Sequence, residues 1–128
     1  MSPLAKAGLL LFALLALHTL DHGVNQPARE QPGSAELVGL AGFAIVATSA
    51  VLALWRSPLA PAAALAAGSL TVLGVLAVHV APEWADWVSD PYWDFDANAL
   101  SWLSLAGLLA AAVWLTIVAA RAERPLEV

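Results

Sequence analysis

Four apolar stretches, at about residues 4–22, 36–55, 59–80 and 97–120, constrain this chain more than any other feature. A helix needs about 20 predominantly apolar residues to traverse hydrocarbon about 30 Å thick. Within lipid, a lone segment satisfies its own N–H and C=O groups only as a helix. Strands of a membrane barrel would be shorter and would alternate polar with apolar residues. These stretches do neither.

A water-soluble fold fails on quantity. Of 128 residues, 61% are hydrophobic and 12% charged, against about 45–50% and about 25% in soluble domains. So short a chain has no interior large enough to hide that surface, and the surplus faces lipid. The expected fold is an all-α membrane protein, a four-transmembrane-helix up-down bundle. It forms a single domain over 1–128, with outer loops at 23–35 and 81–96. Lys6 followed by Ala7 to Leu17 resembles a signal peptide. No small-x-small cleavage site follows, so this stretch reads as an uncleaved first span.

Punctuation agrees with these boundaries. Pro27, Pro32 and Gly33 interrupt the first connection, and Ser34 suits an N-cap. Pro58 and Pro61 suit the first turn of the third helix. Asp94 or Asp96 is expected to cap the fourth. Ala60, Ala64 and Gly68, and likewise Gly107 and Ala111, repeat every four residues, a spacing that lets helix backbones approach in membranes.

Basic residues give the orientation. Lys6, Arg56, Arg121 and Arg124 fall on one side and Arg29 on the other. The positive-inside rule makes this a multi-pass protein of the cell membrane with N- and C-termini cytoplasmic. No basic stripe exists to bind nucleic acid. The absence of cysteine excludes disulfides, thiolate metal sites and cysteine nucleophiles.

Chemistry concentrates where the histidines fall, at the outer helix ends. His18, Asp21 and His22 share one face of the first helix at spacings of three and four. Asn25 continues that face, and His79 ends the third helix. Counting from Lys6, His18 lies about 18 Å along the helix and Asp21 about 22 Å, inside the outer hydrocarbon. Ionisable groups at such depth face the bundle interior or a water-filled cavity.

Three readings of this cluster compete. In the first, His18, His22 and His79 bind a divalent transition metal, zinc or copper, with Asp21 or Asp90 completing or orienting the ligands. In the second, the histidines, Asp21, Asn25 and Arg29 form a structural plug of hydrogen bonds at the outer mouth, with Glu36 a structural polar contact facing water. The third places a haem between His18 and His79, or a quinone nearby. Catalysis is not argued for, although Ser101 and His79 lie at comparable depth.

The second outer loop is aromatic. Trp84, Trp87 and Val88 share one face of a short helix, if one forms. That helix is expected to lie at the interface as an anchor. Alternatively the loop folds over the histidines as a lid and brings Asp90, Tyr92 or Trp93 above them. The leading functional expectation is therefore a bilayer protein with an extracytoplasmic-facing His/Asp cluster that binds a metal ion or small ligand. The main alternative is a non-catalytic accessory or assembly subunit of a larger membrane complex. A transporter is a third, and a bundle this small would have to form a homo-oligomer to offer a pathway.

Overall fold

A computed structural model describes residues 1–25, 33–94 and 96–122, the side chains of 33–36 excepted. Arg29 and the side chain of Glu36 lie outside the described residues. Four helices account for most of the rest: α1 (Pro3–Asn25), α2 (Gly33–Leu54), α3 (Ala60–Val75) and α4 (Ala99–Ala122). A π-helical turn, Leu76–Val80, continues α3 without a break. All four, with α3 counted to Val80, are long and apolar enough to span a membrane. Among the described residues there is no strand.

Local sequence sets the helix ends. Ser2 caps α1, its hydroxyl accepting the Ala5 N–H at 3.1 Å, with Pro3 at the first helical position. At the end of α2, Arg56 adopts a left-handed φ of 54°. The Ser57 N–H then reaches the Leu52 carbonyl at 2.9 Å and the Arg56 N–H the Ala53 carbonyl at 3.3 Å. This is the paired closure of a Schellman motif, and it makes the turn into α3 tight. For α4 the cap is Asn98, whose Oδ1 accepts the Ser101 N–H at 3.0 Å. Asp94 and Asp96, the caps expected from sequence, stand too far upstream of Ala99.

Small residues bring the helices together. Ala60, Ala64, Ala67 and Gly68 are buried on α3, as are Ala111 and Ala112 on α4. A Cβ on Gly68 would lie 2.8 Å from the Ala112 carbonyl oxygen. At Gly8 of α1 it would lie 3.4 Å from the Cα of Ala50 on α2. The core therefore sits where α1, α3 and α4 meet, around Leu11, Leu105, Leu108 and Leu115. The buried residues of α2 among those described, Val46, Ser49, Ala50 and Ala53, lie in its inner half, and Phe43 meets Phe12 of α1 edge-on at 5.0 Å. From Leu37 to Ile45 no α2 residue is buried. Leu20, Leu37, Leu40, Leu73 and Leu103 are exposed, as expected where lipid is the solvent.

Among the described residues, the second outer loop forms two hydrogen-bonded turns, one with the Ser89 N–H on the Ala85 carbonyl at 2.8 Å and one with the Asp94 N–H on the Pro91 carbonyl at 3.1 Å. The expected short interfacial helix is absent. The loop's polar groups are used elsewhere. The Ser89 hydroxyl accepts the N–H groups of Trp84 and Ala85 at 3.3 and 3.2 Å. The N–H groups of Asp90 and Tyr92 go to the carbonyls of Val78 and His79 at 2.8 and 3.1 Å. The Trp84 indole N–H takes the Ala77 carbonyl at 2.7 Å. A helix end leaves about four carbonyls without intrahelical partners. Here the loop supplies donors to three of the residues leading to that end, and this ties it down over the end of α3.

Candidate metal centre

His18 is buried on α1, one turn below His22, and both project to the side where α3 ends. On α3 the π-helical turn sets the position of His79. Its wider hydrogen bond, from the Ala81 N–H to the Leu76 carbonyl at 2.7 Å, inserts a residue relative to an α-helical turn. Such turns rotate the following side chains and recur at functional sites. The outcome is convergence: the Nε2 atoms of His18 and His79 are 3.4 Å apart, and those of His18 and His22 are 3.3 Å apart. One ring nitrogen from each of the three histidines lies within 4.8 Å of the others. Two nitrogens bound to one tetrahedral zinc at about 2.0–2.1 Å stand about 3.3–3.4 Å apart, and the two spacings from His18 match that value.

The other ring nitrogens fix the tautomers. His79 Nδ1 is 3.1 Å from the Asp90 main-chain carbonyl, which only accepts, so Nδ1 carries the proton. His18 Nδ1 is 3.5 Å from the Ser104 hydroxyl oxygen. That hydroxyl donates to the Ser101 carbonyl at 2.9 Å, so it accepts from His18. With both Nδ1 atoms protonated, the Nε2 atoms of His18 and His79 present lone pairs to each other. Two lone pairs at 3.4 Å repel. A cation between them would turn that repulsion into ligation, and the outer hydrogen bonds resemble those that orient metal-bound imidazoles.

Tyr92 closes the cluster from the loop side. It is 1% exposed, its hydroxyl is 3.4 Å from His22 Nε2, and its ring centroid is 4.8 Å from that of His79. Trp102 of α4 meets the Tyr92 ring edge-on at 5.4 Å and stacks with Trp93 at 6.5 Å. Trp84, Trp87 and Trp93 are exposed. Of the four aromatic residues expected as lid or anchor, Tyr92 reaches the histidines, while the three tryptophans face outward.

The carboxylates stand differently. Asp90 is buried and meets His79 through its main-chain carbonyl. Asp21 is also buried. Its Oδ1 accepts from the Asn25 amide, while Oδ2 has no hydrogen-bond partner among the described residues. The three converging ligand atoms all belong to imidazoles.

Ser104 is a participant that the sequence reading did not single out. A signal for it was present: Ser101 and Ser104 lie three apart, near the start of α4, at the depth of the histidines. The fourth helix thus contributes to the site, because it supplies the acceptor for His18.

A cavity of about 470 Å3 runs from the three histidines between α1, α2 and α3. Comparison with protein-family profiles, with curated proteins and with solved structures finds no match to this chain.

Proposed function

We propose that this protein is a multi-pass membrane protein that binds one divalent transition metal through His18, His22 and His79. Zinc is the first expectation and copper the second. The observation carrying this reading is the facing of the His18 and His79 Nε2 atoms at 3.4 Å, with each Nδ1 already held by an acceptor. Three imidazoles leave a tetrahedral ion one open position, the arrangement of reactive rather than purely structural zinc sites. Asp21, one turn from His18 on the same face, offsets the ion's charge from outside the ligand set. The helices run up and down with both ends cytoplasmic, which directs the site to the extracytoplasmic side.

An ion fits this geometry better than a haem. A haem held by His18 and His79 needs its macrocycle between the two rings. A separation of 3.4 Å, with His22 Nε2 a further 3.3 Å from His18, leaves no plane for it. The rival reading is a hydrogen-bonded plug, favoured by the continuous run from Ser101 through Ser104 to His18. Metal analysis of purified protein separates the two. The expected result is about one ion per chain in wild type, lost in His18→Ala and in His79→Ala. A folded wild type that stays metal-free after incubation with zinc or copper establishes the plug instead.

A further inference from the structure

The cavity beside the histidines is polar at one end only. His18, Thr19, His22, His79 and Asp90 cluster at the outer end, and the remaining lining is apolar apart from Thr71. Its volume of about 470 Å3 falls in the range of about 300–1,000 Å3 typical of ligand pockets. Glycine creates much of the room. Gly39 and Gly42 of α2 and Gly74 of α3 line the cavity. A Cβ built on any of them would meet nothing within 4 Å.

The mouth faces lipid. From Leu37 to Ile45 α2 contributes no buried residue, and Leu40 and Leu70 on the cavity wall are 69% and 52% exposed. These residues belong to spans long and apolar enough to lie in a membrane, so a molecule entering beside them comes from the bilayer. Tyr92 and the loop that ties down the end of α3 cover the histidines from the water side.

Resting on the metal reading above, we infer that the site takes a single-chain membrane amphiphile, its anionic oxygen head on the metal's open position and its tail in the cavity. Carboxylate is the simplest such head. Three neutral imidazoles leave a divalent ion's charge uncompensated at membrane depth, where Asp21 supplies one negative charge and an anionic head supplies the second. An apolar tail matches the aliphatic wall, and the glycines leave space for its width.

The test uses cobalt-loaded full-length protein in phosphatidylcholine nanodiscs, with visible cobalt absorption as the readout. The probes are acetohydroxamic acid and decanohydroxamic acid, which carry the same oxygen head. Each is titrated into wild type, Gly42→Phe and Gly74→Leu. Because Gly42 and Gly74 border open space, both variants are expected to fold and to keep the wild-type cobalt spectrum. Both probes should shift that spectrum in wild type. The long-chain probe should lose about tenfold or more of its affinity in either variant, whereas acetohydroxamic acid should be unaffected. Comparing proteins in the same bilayer cancels the probe's own partitioning. Equal long-chain affinity in wild type and both variants overturns the inference and leaves the metal reading standing. So does a cobalt spectrum that neither probe changes. If no cobalt binds, the metal reading fails and takes this inference with it.

Discussion

His18 and His79, 61 residues apart in the chain, face each other through their Nε2 atoms at 3.4 Å, each ring held from behind at Nδ1 by an acceptor. A cation between the nitrogens would relieve the repulsion of such a pair, and three features of the outer bundle hold the rings in place. The π-helical turn aims His79, Ser104 orients His18, and the loop carrying Asp90 and Tyr92 is fastened to the carbonyls at the end of α3.

Removing the orienting hydroxyl tests how far the ligand geometry depends on it. Ser104→Ala should leave the fold intact and weaken zinc binding by about 10–100-fold, the usual effect of losing an outer partner of a metal-bound imidazole. A competition titration against a chelator of known affinity measures it. Unchanged affinity would mean that His18 needs no acceptor at Nδ1.

Two glycines should respond oppositely to the same substitution. Gly68→Ala forces a methyl group against the Ala112 carbonyl, at 2.8 Å in the unrelaxed structure. A clash of this kind costs about 1–3 kcal/mol. Gly42→Ala meets nothing within 4 Å and should be neutral or slightly stabilising, since alanine favours helix by about 1 kcal/mol over glycine. Reversible unfolding in mixed micelles should separate the two variants. Equal stability would contradict the close α3–α4 contact.

The loop's fastening can be tested at Trp84. Trp84→Phe keeps the aromatic ring but removes the donor to the Ala77 carbonyl, a bond of 2.7 Å. Such a bond contributes about 0.5–1.5 kcal/mol. Hydrogen exchange at the Asp90 and Tyr92 amides, which pair with Val78 and His79, should accelerate by roughly threefold to tenfold. Exchange unchanged at both amides would show that the loop holds without the indole.

Orientation can be read directly because the chain contains no cysteine. In intact cells, a membrane-impermeant maleimide should label Asp86→Cys in the second outer loop and leave Ser57→Cys in the α2–α3 turn unlabelled. The reverse pattern would place the histidines toward the cytoplasm and overturn the assignment made from Lys6, Arg56 and Arg121.

Much of this was legible in the sequence, for physical reasons that differ by element. The spans were plain because hydrocarbon thickness sets their length, and His18 with His22 followed from helical spacing. His79 was expected to join them from its place at the end of the third helix, but the π-helical turn that aims it was not read from the sequence. The loop between Ala81 and Asp96 misled through periodicity. Trp84, Trp87 and Val88 have helical spacing, but the donors that a helix would use internally go to the Ser89 hydroxyl and to the end of α3. Asn98 was passed over as a cap in favour of aspartates upstream, an error of register. Ser104 was hidden by its type, since a serine inside a span ordinarily bonds its own helix, and this one does so while also accepting from His18. The extent of the apolar cavity depends on how α2 packs, with its described buried residues all between 46 and 53, and the sequence does not carry that information.

X-ray absorption at the zinc edge of zinc-loaded protein tests the central claim most directly. The account predicts a four-coordinate ion with three imidazole nitrogens at about 2.0–2.1 Å and one further light atom, and no imidazole-bound zinc in the His79→Ala variant. A spectrum of hydrated six-coordinate zinc, or the same imidazole count with and without His79, would contradict it.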